Sequence, residues 1–161
     1  ALKAVNIYRA LANADPENTA LFKKNAEAYS YLMNQIADEL LQTAGKLRNR
    51  NIVVQNDIFD YFARDSGLNI VAVIESHHGH ESSAAEIISL IGKIKKGNAG
   101  AIFYQPQFSP KTPMKLAKET SIPCDVLDPV ATGPEDAGND YYEKAMRKNI
   151  QTLIKALGTV N

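Results

Sequence analysis

From residue 51 to the end of the chain, short apolar runs alternate with stretches whose apolar residues recur every three or four positions. The runs at 52–54, 68–74, 99–104 and 125–127 predict strands. The stretches between and after them, at 57–66, 82 or 83 to 96, 110–120 and 141–157, predict helices. Ile52, Val53 and Val54 are β-branched with no polar position among them, the mark of a strand covered on both faces. Phe59, Phe62 and Ala63 share one face of the next helix, with Asp57 as its expected cap and Gly67 as its expected stop. Ser83 with Glu86 reads as a capping box, and Gly97 closes that helix. The repeated strand-helix rhythm predicts the α/β class: a three-layer α/β/α arrangement around a four-stranded parallel sheet.

Upstream of residue 51 the pattern is helical throughout. Residues 1–14 read as a helix ended by Asp15-Pro16, where Asp15 is the expected N-cap and Pro16 the first position of the next helix. From there Phe22, Ala26, Tyr29, Met33, Ile36, Leu40, Ala44 and Leu47 mark one long stripe, expected to be core. The chain therefore divides into a helical segment, 1–50, and an α/β segment, 51–161. It begins at Ala1, already in helical rhythm and with no cap before it, and is expected to be a fragment or processed product whose natural start lies elsewhere.

Composition narrows the chemistry. Eighteen basic residues balance eighteen acidic ones, so net charge gives no pointer to nucleic acid or to an anionic membrane. The chain as given carries no secretory leader and no apolar run long enough for a membrane span. The one cysteine, Cys124, leaves no internal disulfide and no multi-cysteine metal cluster, and is expected to be a small buried residue at a strand start.

Polar residues follow every predicted strand. Asn56-Asp57 follow the first, Glu75 and the run His77, His78, Gly79, His80, Glu81 the second, Gln105-Pro106-Gln107 the third, and Asp128-Pro129 the fourth. In a parallel sheet these four loops open on one edge, where ligands bind in folds of this class. All three histidines of the protein fall in that second loop, flanked by two carboxylates, a donor set suited to zinc, nickel or copper. The same run also reads as a surface loop with incidental metal affinity. There is no phosphate-cradling glycine loop, no zincin helix and no nucleophile-base-orienter set. Residues 129–140, rich in Gly and Pro, are expected to form an exposed loop.

Several of these segments, in this order, resemble the substrate-binding proteins of zinc and manganese ABC transporters, and specifically their C-terminal lobe. The likeness rests on Asp15-Pro16-Glu17-Asn18 and Asn25-Ala26 with Tyr29, then on Asp57, Phe59, Tyr61-Phe62 and Gly67-Leu68. It continues through Ala101-Ile102-Phe103, Pro106-Gln107-Phe108-Ser109, Leu127-Asp128-Pro129 and residues 142–149. The resemblance implies two α/β lobes joined by the long helix, here an interlobe helix, with a divalent metal ion, zinc or manganese, held between two ligands from each lobe. It further implies that the N-terminal lobe is absent from this chain, that the partner is an ABC transporter permease, and that the protein works outside the cytoplasm, in the periplasm or lipid-anchored. No enzyme activity, nucleotide or nucleic acid is implied.

By position, Asp128 matches a carboxylate ligand of that family. Asn56 stands where zinc members have histidine and manganese members histidine or glutamate, and Gln105 replaces a common glutamate. A neutral amide oxygen is a poorer donor for a divalent first-row ion than imidazole or carboxylate. His77, His78 and His80 are then candidate substitutes for the lost ligand. Two other readings stay open: a flavodoxin-like nucleotide-binding or enzymatic module using the same crevice, and a family member diverted to adhesion without metal.

Overall fold

The structure is a computed structural model, which describes residues 2–74 and 82–160. The chain separates into two compact units, Ala1–Glu39 and Leu40–Asn161.

The first unit holds α1 (Leu2–Ala14), a 3-10 turn at Pro16–Asn18 and most of α2 (Thr19–Gly45). Asp15 does occupy the N-cap position ahead of Pro16, but its carboxylate accepts from the Asn18 side-chain amide at 2.7 Å and makes no capping bond to the backbone. Of the predicted stripe, Ala26 and Ile36 are buried in this unit, whereas Tyr29 remains exposed. Two helices and a turn have too little surface to enclose a stripe of that length.

The second unit carries β1 (Asn51–Val54), α3 (Asp60–Ser66), β2 (Asn69–Val73), α4 (Ala84–Lys96), β3 (Ala101–Tyr104), α5 (Lys111–Thr120), β4 (Cys124–Val126) and α6 (Tyr141–Leu157). All strand pairings are parallel, in the spatial order β2-β1-β3-β4. The chain thus leaves β1 in one direction and later returns to its other side, so the order reverses between β1 and β3. In open α/β sheets that reversal opens a crevice at the carboxyl ends of the strands.

The alternation of side chains along the strands builds two cores. Ile52, Val54, Ala101, Phe103 and Leu127 pack on one face with Ala44 and Leu47, Phe59 and Ala63, and Leu153 and Leu157 of α6. Val53, Ala72, Ile74 and Ile102 pack on the other with Ile87, Leu90 and Ile94 of α4 and Leu116 of α5. Both faces of the sheet are therefore covered, as the uninterrupted β-branched run of β1 requires. Cys124 opens β4 as expected, half-buried against the second core. The register between β1 and β2 slips between Ile52 and Val53, leaving Val71 as the extra residue of a bulge.

The helix boundaries follow their caps. Ser83 and Glu86 form the reciprocal capping box of α4. Gly67 ends α3 at φ 72°, the left-handed conformation that glycine adopts without a steric cost. Gly97 ends α4 for a different reason. Its φ is ordinary, but a Cβ there would lie 2.6 Å from the Cβ of Val71. At the amino end of β1, asparagines tie the strand to β2 and to the turn before β3. Asn51 accepts from Asn69 Nδ2 at 3.0 Å and donates to Gly97 O at 2.8 Å, while Asn49 accepts the Asn51 N–H and donates to Asn98 O.

Candidate metal site at the carboxyl edge of the sheet

Of the predicted site residues, Asn56 and Asp128 fall at the carboxyl edge as the parallel topology demands. Asn56 lies just beyond β1 and Asp128 just beyond β4, with β3 between their strands. At about 4.8 Å per strand this puts the two backbones roughly 10 Å apart, a span that two short side chains and an ion with bonds of about 2 Å can bridge. Glu75, His77, His78, His80 and Glu81 lie outside the described residues. Among the described residues, no three of His, Cys, Asp and Glu converge in a metal-binding group.

Asn56 has a local task that the sequence reading assigned to Asp57. The backbone of Asn56 is still extended as it leaves β1, and its Oδ1 accepts the N–H of Ile58 at 3.1 Å, capping a 3-10 turn, Asp57–Phe59, that leads into α3. Asp57 sits inside that turn. The cap belongs to the last residue that keeps a strand conformation, and both candidates carry a suitable side chain. Asn56 thus uses its oxygen on the backbone and leaves Nδ2, a donor, without a partner among the described residues.

Beneath the edge lies a layer of buried carboxamides. Gln55, 1% exposed, accepts the N–H of Gln105 at 3.0 Å through Oε1 and donates through Nε2 to Ser109 O at 3.1 Å. One side chain thereby ties the end of β1 to the turn after β3. At the surface, the exposed Gln107 donates through Nε2 to Thr132 Oγ1 at 3.1 Å, joining that turn to the loop after β4. Gln105 is 3% exposed, and its Nε2 has no hydrogen-bond partner among the described residues. An unpaired buried donor costs about 1–3 kcal/mol.

Asp128 is held from three directions. Asn149 of α6, 3% exposed, accepts the Asp128 N–H at 2.9 Å and donates to the Asp128 carbonyl at 2.7 Å. The N–H of Val130 donates to Asp128 Oδ1 at 2.8 Å, which leaves Oδ2 without a hydrogen bond among the described residues. Val130 stands at φ 55°, a rare conformation for a β-branched residue. The sequence pattern gave no role in the site to Asn149, the last residue of the matching segment 142–149, or to Gln55. Their signal was a polar residue inside an otherwise apolar pattern: Gln55 after three core residues, Asn149 beside the core position Ile150.

Cys124 opens β4 and so lies at the amino end of that strand. Burial, and then the charge of Asp125, pushes the Cys124 thiol up to about 11, so it stays protonated at neutral pH. Among the described residues, no helix is long and apolar enough to cross a membrane.

Residues 2–156 match the family described as zinc-uptake complex component A, periplasmic (ZnuA). The chain belongs to this family. Its ZnuA-family relatives include the high-affinity zinc uptake system protein ZnuA of Brucella abortus (strain 2308), 29% identical over 154 residues that cover 96% of this chain and 46% of that protein. The zinc-binding protein AdcA of Streptococcus pyogenes serotype M1 is 32% identical over 151 residues, which cover 92% of this chain and 29% of AdcA. The chain therefore spans less than half the length of these two relatives. Among solved structures, the laminin-binding protein Lmb of Streptococcus agalactiae, described as bifunctional with adhesin and metal-transporting activity, superposes with a TM-score of 0.79 at 28% identity. The match covers 95% of this chain and 59% of Lmb. The flavodoxin-like enzymatic reading is not favoured by these matches.

Proposed function

We propose that this chain is the C-terminal lobe of an extracytoplasmic, non-enzymatic solute-binding protein that captures a divalent metal ion, zinc foremost, for an ABC importer. The observation that carries this reading is the ZnuA-family match across 2–156, with Asp128 at the strand edge keeping one carboxylate oxygen unengaged among the described residues. In this reading the lobe supplies part of the coordination shell, an N-terminal lobe supplies the rest, and a permease receives the ion.

Asp128 is then the anionic ligand of the lobe. Asn56 fills the second ligand position with a neutral carboxamide whose oxygen already accepts from Ile58, which makes it a weak donor to zinc. The chain passes from β2, the strand beside β1, into the histidine segment, and His77, His78 and His80 are proposed to make up for that weakness.

Zinc titration of the full-length protein tests this. One ion per molecule is expected, and Asp128→Asn should weaken binding beyond the 10–100-fold typical of losing an outer-shell partner. Asn56→His should tighten it, and a triple His77, His78 and His80 to Ala variant should loosen it. Unchanged affinity in that triple variant would remove the histidines from the site. A protein that takes up no divalent metal, by elemental analysis and titration alike, overturns the reading and favours adhesion, the other activity ascribed to Lmb.

A further inference from the structure

The backbone at Asp128 is fixed far more firmly than the end of a strand requires. The two bonds from Asn149 pin the peptide groups on both sides of the residue to α6. Pro129 then fixes φ at the next position. Val130 takes a left-handed conformation, a strained one for valine, and from it the N–H reaches Oδ1. Strain of this kind persists where the surroundings over-determine it, and here those surroundings are a buried carboxamide, a proline and a carboxylate oxygen. Together they define the position of one carboxylate and commit one of its oxygens.

We propose that Asn149 is the positioning residue of the metal site: it clamps Asp128 to α6 while the Val130 N–H engages Oδ1, so that the lobe offers a cation the single oxygen Oδ2. This rests on the metal-capture reading above and adds a basis for selectivity. A carboxylate with one committed oxygen suits zinc, which takes four ligands in a tetrahedral shell. It suits calcium poorly, because calcium gathers six to eight oxygens and often takes both from one carboxylate. Loosening the clamp should therefore weaken zinc and narrow the preference for zinc over calcium.

The test uses the full-length protein, zinc and calcium titrations, and a thermal melt of each variant. Asn149→Ala is expected to bind zinc about 10–100-fold more weakly, as the loss of an outer-shell partner typically does, with a reduced zinc-to-calcium ratio. Leu116→Ala, in the core of the opposite sheet face, lowers the melting temperature without touching Asp128, and should leave both the zinc affinity and the ratio unchanged. If Asn149→Ala does not fold, Val130→Pro takes its place. It removes the N–H that holds Oδ1 and forbids the left-handed turn, and is expected to lose about 10-fold in zinc affinity. A folded Asn149→Ala or Val130→Pro protein with wild-type zinc affinity and ratio overturns the positioning role and leaves the metal reading standing. A wild-type protein that binds no zinc overturns both.

Discussion

The two ends of one sheet use the same side-chain chemistry to opposite effect. At the amino ends, Asn49 and Asn51 spend donors and acceptors alike on backbone carbonyls and on one another. At the carboxyl ends, Gln55 and Asn149 are equally spent, but three groups near them have no partner among the described residues: Asn56 Nδ2, Gln105 Nε2 and Asp128 Oδ2. A closed amide network holds strands in place, whereas an open one leaves polar groups to be satisfied from outside. The contrast separates the structural end of the lobe from the end proposed to meet a metal ion. It comes from pairing, since the residue types at the two ends are much the same.

The contrast breaks most visibly at Gln55. Gln55→Ala leaves the buried Gln105 N–H and the Ser109 carbonyl unpaired, and should cost about 1–3 kcal/mol in urea unfolding while also weakening zinc binding by shifting the turn after β3. Asn51→Ala at the other end should cost a comparable amount and leave zinc binding alone. A change in zinc affinity at Asn51 would erase the division.

A smaller effect of opposite sign is expected at Gln105. Gln105→Met keeps the length of the side chain and removes its unpaired donor, so stability should rise by up to about 1 kcal/mol. A loss instead would mean that Nε2 finds a partner in solution.

The smallest effect concerns pH and lies away from the edge. Burial alone would raise the pKa of Asp125. The hydrogen bond from Lys155 at 2.6 Å, the Val126 N–H and the charges of Lys155 and Lys148 outweigh that and hold it below the ordinary carboxylate value. A depressed folded-state pKa stabilises the protein above the unfolded value of about 3.9, and the gain is lost as pH falls through the folded value. The wild type should therefore lose more stability than Asp125→Asn as pH drops from about 5 to 3. The difference should be slight and should shrink with salt, because the Lys155 partner is solvent-exposed.

The fold was largely legible because its information is local. Runs such as Ile52 to Val54 and the capping box at Ser83 and Glu86 declare themselves within a few residues. Strand limits moved by one or two positions, and the cap of α3 moved from Asp57 to Asn56, since adjacent residues both had the chemistry. The site was half legible. Parallel strands place Asn56 and Asp128 on one edge by topology alone. The contacts that prepare them join positions far apart in sequence, Gln55 to Gln105 and Asn149 to Asp128, and no periodicity encodes such pairs.

The bulge in β2 has a consequence for the history of the chain. Val71 is a supernumerary residue in its strand: Ile70 and Ala72 pair with consecutive residues of β1, so the register on either side runs as though Val71 were absent, and Val71 packs against the same core as Ala72. The space it occupies lies against the end of α4, which tolerates it because position 97 has no side chain. An inserted residue in one element and a glycine in another, 26 positions apart by their numbers, thus form a single heritable unit. A lineage that lost the insertion would be released from the glycine, and one that lost the glycine first would have to give up the insertion as well.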